Sequence, residues 1–234
     1  MLGSQMEANP SDLSVIVAAY NEEEGIAPTL LELKEHLNTP NLIVVDGNST
    51  DRTLQLAKDS GAQVILQKGT GKGDAISQGL NYLPKNTKYV VFTDADYTYP
   101  ARHVKEMLNV LESNEEVGMV LGNRFSQLYI YESDRNQFYI GNRILSFVQR
   151  IFNGVNLNDP YTGLRIIRID IFKDWKPKSK GFDIESELNH FVKTSGYKII
   201  EVPIVYRKRL GQKKLGFMDG LKILRRIIIQ KILQ

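Results

Sequence analysis

The chain has 234 residues, 42% apolar and 24% charged, with no cysteine. That bounds one large globular domain, or one with an appendage, and excludes disulfides, thiol nucleophiles and cysteine metal sites. Net charge is only +3, but from Lys198 onward Glu201 and Asp219 are the sole acids among many Lys and Arg, a balance that suits a membrane surface, a phosphate or a nucleic acid.

Residues 1–12 are polar and read as a tail or tag remnant outside the fold, with no signal peptide. Leu13–Ala19 is a β-rich apolar run closed by Tyr20-Asn21. Glu22–Leu37 then places Ile26, Leu30, Leu33 and Leu37 at helical spacing. Leu42–Val45 is a second apolar run, ending at Asp46, and Thr50–Asp59 is helix-like with Ser49 or Thr50 as N-cap. Ala62–Leu66 predicts a third strand. The glycine-rich stretch Gly69–Gly73 follows, then a helix to Leu83. Tyr89–Thr93 predicts a fourth strand and Arg102–Glu112 a helix.

Strands alternating with helices predict a mostly parallel, doubly wound α/β sheet. Runs such as VIVAA, LIVV and VVF are apolar throughout, as strands covered on both faces must be. Ligands of such sheets sit at the carboxyl ends of the strands. Three of the four strands end in polar clusters, at Asn21-Glu22, Asp46 and Asp94-Asp96, so these are expected to converge. The later chain predicts strands at Val117–Leu121, Leu164–Ile169 and Ile199–Tyr206, and helices at Phe138–Phe152 and Ile184–Thr194. No run is long and apolar enough for a transmembrane helix. Residues 213–234 form a basic amphipathic helix, with Leu221, Leu224, Ile228 and Ile232 able to share a face. It reads either as a membrane-surface helix or as one packed on its own domain or an oligomer seam.

Asp94-Ala95-Asp96 is the sharpest chemical signal. Two like charges this close repel. A turn after the strand can aim both at one hard cation such as Mg²⁺ or Mn²⁺; the alternative is two solvated loop acids. Asp46 can accept from a ribose hydroxyl or a base edge, or cap the turn in DGNSTD. Gly69-Thr70-Gly71-Lys72-Gly73 matches neither GxxxxGK[ST] nor GxGxxG. Lys72 can still meet a diphosphate or a base edge; otherwise the stretch is a strand-to-helix turn. No nucleophile elbow, paired histidines or triad is present.

Taken together, SVIVAAYNEEEGI, VVDGNSTDRT, KGTGKGDAISQG and FTDADYTYP resemble the inverting glycosyltransferases of family two, which have the GT-A fold. GNRF, NDPYTGLRIIR, GFDIESEL and EVPIVYRKRLGQKKL are similar to dolichyl-phosphate mannose synthases and their polyprenyl-phosphate glucose relatives. The resemblance runs from about Leu13 to Leu215 and implies a GT-A domain over residues 13–212. It implies that Ala19, Tyr20, Glu22, Asp46 and Lys72 serve the sugar nucleotide. Asp94 and Asp96 would hold Mg²⁺ or Mn²⁺ against its diphosphate. Thr98 stands where many relatives carry a glutamine that helps ligate the metal. The implied catalytic set is Asp96, Arg124 and Arg209. Arg124, Arg209 and Lys214 would face the acceptor phosphate, and Arg135 and Arg143 compete for one further arginine position.

The implied reaction moves a hexose, mannose from GDP-mannose favoured, to dolichyl or polyprenyl phosphate. UDP-glucose is the alternative donor. A saccharide hydroxyl is the alternative acceptor; it would need a base, for which Asp159 is the first candidate. Outside enzymes, acids at strand ends also suit a receiver-like or nucleotide-binding module. The implied partners are the sugar nucleotide, the lipid phosphate and the cytoplasmic face of a membrane, held peripherally, and no nucleic acid.

Overall fold

A computed structural model describes residues 12–38, 41–125 and 137–232. Seven strands form one sheet: β1 (Leu13–Ala19), β2 (Asn41–Asp46), β3 (Gln63–Leu66), β4 (Tyr89–Asp94), β5 (Val117–Asn123), β6 (Arg165–Arg168) and β7 (Lys198–Pro203). Their order is β3-β2-β1-β4-β6-β5-β7. β1 pairs in parallel with β2 and β4, β2 with β3, and β5 with β7; β6 runs antiparallel between β4 and β5.

The apolar strands are covered on both faces, as their uninterrupted patterns require. Val15, Val17, Leu42, Val44 and Val91 pack on one side with α1 (Ile26–Leu37) and α4 (His103–Glu112). Ile16, Ile43, Val45, Val90 and Phe92 face the other side, against α3 (Lys72–Leu80) and α6 (Ile184–Thr194). Alternate residues thus serve opposite cores, the period-two rule of a strand. α1 shows the complementary helical rule: Ile26, Leu30, Leu33 and Leu37 are all buried, each contributing about 1.5–3 kcal/mol by leaving water.

α2 (Thr53–Asp59) begins later than expected, with Arg52 rather than Ser49 or Thr50 at its N-cap. The serine is diverted: its hydroxyl donates to Asp46 Oδ2 at 2.7 Å and accepts from Asn21 N at 2.9 Å. β7 also ends earlier, at Pro203, because the following residues cross over the strand ends: Arg207 N donates to Thr98 O and Leu210 N to Asp96 O.

α5 (Gln137–Asn153) and α7 (Phe217–Ile232) pack on each other, and α7 also packs on α6. Their interior contacts are partly polar. Gln149 Nε2 donates to Ser186 O at 3.1 Å, and Asn153 Nδ2 to Gln230 Oε1 at 2.7 Å. α5 buries Ser146, Gln149 and Asn153 while Ile140, Ile144, Phe147 and Ile151 stand exposed, so its apolar stripe points outward. α7 turns Ile223 and Ile227 inward but leaves Phe217, Leu221, Ile228 and Ile232 exposed, with Leu224 half-buried. One face of this helix therefore packs on the domain, and another is exposed.

Candidate active site

The carboxyl ends of β1, β2 and β4 meet at one edge of the sheet, each turned by a residue in the left-handed region: Asn21 (φ 50°), Asn48 (φ 62°) and Tyr97 (φ 65°). Asparagine tolerates this conformation; tyrosine rarely adopts it, so the bend after Asp96 is held by its surroundings. Tyr97 N donates to Thr29 Oγ1 at 3.1 Å, and the Arg207 guanidinium lies 3.8 Å from the Tyr97 ring centroid. Gly25 lets the start of α1 approach this bend: a Cβ there would lie 2.5 Å from Ala95 O and 2.7 Å from Asp96 Cα.

The repulsion between the two aspartates is relieved by a separate cation on each. Lys72 Nζ sits 2.6 Å from Asp94 Oδ1 and 2.7 Å from Glu185 Oε1. Arg209 Nη1 sits 2.6 Å from Asp96 Oδ2, and its Nη2 pairs with Glu22. Lys214 Nζ joins Glu22 at 2.6 Å and donates to Asn21 O at 2.7 Å. Residues 206–214 therefore strap the acidic end of the sheet. Burial works to raise the Asp94 carboxyl, but Lys72, Arg124 and Arg209 outweigh it and hold it below the usual aspartate range. Asp96 goes the other way: burial and then the Asp94 charge raise it, despite Thr98 and Arg209. Burial likewise raises Glu22 against its two cations. Lys72 is pushed up because its two carboxylates prevail over burial.

Thr98 is buried and donates its hydroxyl to Asp96 Oδ1 at 2.6 Å. It orients that carboxylate. Among the described residues no group of three His, Cys, Asp or Glu is placed to hold a metal. Two hard carboxylates aimed at one edge nevertheless fit Mg²⁺ or Mn²⁺, which take one or two carboxylates and complete their shell with water and substrate phosphates. Buried polar atoms without a hydrogen-bond partner border the pair, Glu22 Oε2 and Arg209 Nε among them, as expected where a further polar group is to arrive.

Arg124 donates through Nε and Nη2 to Asp159, both at 2.7 Å, and its backbone N donates to the same carboxylate at 2.9 Å. Its guanidinium also stacks 5.3 Å from the Tyr206 ring centroid. Asp159 is fully buried and is the counter-ion of Arg124, so it does not stand open as the base that a saccharide hydroxyl acceptor would need. Glu201 Oε1 in turn accepts from Asp159 N at 2.7 Å.

Asp46 is also fully buried and accepts from Ser49 through both oxygens, so the turn-capping role is the one the geometry displays. Ala19 is buried, its carbonyl accepting from Gly47 N at 2.8 Å, while Tyr20 stands half-exposed beside it. The glycines of GTGKG serve a close approach: a Cβ at Gly71 would collide with Lys180 O, and one at Gly73 with Ser179 O. The loop thus packs on residues 179–181, and Lys72 alone reaches the acids. Arg143 is exposed on α5, with no described ion pair to the acidic cluster; Arg135 lies outside the described residues, as does the tail but for Asp12. Sequence reading missed Glu185, the second partner of Lys72, and the outward stripe of α5. Its only trace of the stripe was the helical spacing of Ile140, Ile144, Phe147 and Ile151.

The mostly parallel α/β sheet thus carries an acid pair at its carboxyl edge. The family model described as "Glycosyl transferase family 2" matches residues 14–176, and the chain belongs to that family. Glycosyltransferase AglJ of Haloferax volcanii is 32% identical over 200 residues, covering 86% of this chain and 64% of AglJ, so the chain spans less than two thirds of that relative's length. The dolichyl-phosphate hexose transferase of the same organism is 31% identical over 212 residues, covering 89% of each chain. Among solved structures, glucosyl-3-phosphoglycerate synthase from Mycobacterium tuberculosis, in complex with Mg²⁺ and uridine diphosphate, superposes with a TM-score of 0.72. The match covers 94% of this chain and 78% of that one at 22% identity, and shows that the fold is shared.

Proposed function

We propose that the chain is a hexosyltransferase that moves a sugar from a sugar nucleotide to a dolichyl or polyprenyl phosphate at the surface of a membrane. Mannose from GDP-mannose is the expected donor pair. The observation that carries the reading is the acid pair Asp94/Asp96, clamped by Lys72 and Arg209, on a molecule whose α5 and α7 turn an apolar stripe outward. The relatives support it by name, one being a dolichyl-phosphate hexose transferase.

On this reading Asp94 and Asp96 would hold a divalent ion, which would supply positive charge against the leaving nucleoside diphosphate. Lys72 and Arg209 hold the two carboxylates in place before substrate arrives. A lipid phosphate is already ionised at neutral pH, so the site needs no general base, in keeping with an Asp159 whose oxygens are taken by Arg124. What it needs is cations that offset the repulsion between acceptor phosphate and donor diphosphate. Arg209 and Lys214 lie on the strap beside the acids and suit that role, arginine because its planar fork binds phosphate oxygens bidentately. The rest is positioning in a fixed field. No described helix is long and apolar enough to cross a membrane. The exposed stripes of α5 and α7 support peripheral attachment instead, with the cytoplasmic face the expected side.

The test is incubation with Mn²⁺, a panel of sugar nucleotides and a short polyprenyl phosphate. Product mass is expected to show one hexose on the lipid phosphate and to identify it. Glycosylation of a saccharide hydroxyl, with none of the phosphate, would overturn the acceptor assignment. Asp96→Asn is expected to lower transfer by roughly 10²–10³-fold without unfolding the protein; full activity would remove the metal role of the pair.

A further inference from the structure

α7 has a third face besides the buried and the bare apolar ones. Lys222, Arg225 and Arg226 project from it into a cavity of about 620 Å³, whose opposite wall carries Lys178, Lys180 and Asp183. The volume lies within the usual range for sites that hold a small molecule or a headgroup. Five of the six charged side chains named are cationic. The single acid is already engaged, Asp183 Oδ2 accepting from Arg226 Nε at 3.1 Å, and Lys222 pairs with Asp219 at 3.0 Å. Among the described residues Lys178, Lys180 and Arg225 have no carboxylate within ion-pair distance. A concavity lined mainly by one sign of charge concentrates the opposite sign.

The cavity is not the acid-pair site. Asp94, Asp96 and Arg209 do not line it, and although Gly71 does, the next residue turns its side chain away to Asp94 and Glu185. Its ligand is expected to have an apolar part. Ile229 lies in its wall, and one helical step away Ile228 and Ile232 stand exposed on the bare stripe of α7. A headgroup in the cavity would leave its chains running along that stripe.

The geometry points to a second lipid site: the cavity takes the phosphate headgroup of an anionic membrane lipid that is not the acceptor. It fixes the enzyme's orientation on the bilayer through Lys178, Lys180 and Arg225. This rests on the membrane reading above.

The test is co-sedimentation of the full chain with phosphatidylcholine vesicles, with and without phosphatidylglycerol. Lys180→Gln/Arg225→Gln alters two exposed side chains of the cavity. Arg150→Gln/Lys231→Gln removes two exposed charges from α5 and α7 outside it. Each charge near an anionic leaflet is worth about fivefold in affinity, so the cavity pair is expected to lose roughly 25-fold of the gain given by phosphatidylglycerol, with neutral-vesicle binding unchanged. The control pair is expected to lose clearly less; an equal loss means diffuse attraction and overturns the site. Transfer to a short, water-soluble polyprenyl phosphate is expected to keep its KM in the cavity variant; a raised KM makes the cavity an acceptor subsite and overturns the assignment. Calorimetric titration with inorganic phosphate covers the free-ion source: saturable binding as strong as that of vesicles overturns the lipid headgroup. If neutral-vesicle binding survives and the phosphatidylglycerol gain is untouched by the cavity pair, this inference alone fails. If wild type binds neither vesicle, the membrane reading fails with it.

Discussion

α1 and α5 are both amphipathic, and they are mounted in opposite senses. α1 sends Ile26, Leu30, Leu33 and Leu37 into the core beneath the sheet. α5 sends Gln149, Asn153 and Ser146 inward and leaves Phe147 62%, Ile151 60% and Ile144 57% exposed. The same periodicity therefore does two jobs. In the half that carries the acid pair it builds a rigid sheet edge; at α5 and α7 it builds an apolar surface that water alone would not favour. The buried polar contacts of α5 make its orientation unambiguous, since turning the stripe inward would strand Gln149 and Asn153 from Ser186 and Gln230.

The contrast can be broken from either side. The largest effect is expected at Lys72→Met, which leaves the buried Glu185 and the partly exposed Asp94 without their shared cation: about 3 kcal/mol of stability, read by denaturant unfolding, together with loss of transfer. A variant as stable as the parent would mean that the carboxylates find another cation. Leu30→Ala, in the inward stripe, is expected to lose about 2–5 kcal/mol in the same measurement. Phe147→Ser, in the outward stripe, is expected to weaken binding to neutral vesicles by about 1.5–3 kcal/mol, seen by flotation. In unfolding experiments the same substitution is expected to stay within about 0.5 kcal/mol of the parent. A large stability loss there, with vesicle binding unchanged, would show that the stripe is covered by protein.

Much of the sheet half was legible because its signals are local. Leu13–Ala19, Leu42–Val45 and Tyr89–Thr93 read as strands from their own residues, and Asp94-Ala95-Asp96 at a strand end marks a charge repulsion that a cation or water must relieve. The identity of the relieving groups was not legible, because Lys72, Glu185 and Arg209 lie far apart in the chain and meet only when the sheet is wound and strapped. Asp159 shows the same limit. The sequence offered Asp159 of NDPYTG as a candidate base for a hydroxyl acceptor, and only the position of Arg124 shows it to be a counter-ion.

By itself the sequence determined the alternation of strands and helices, the crowding of acids at one edge and the basic, amphipathic end, since each follows from residue type and spacing within a short window. Tertiary structure decided which cation holds which carboxylate and which way each apolar stripe faces. Pairing and orientation depend on what lies across the gap, and a helix's periodicity fixes that it has two faces without saying which of them meets water.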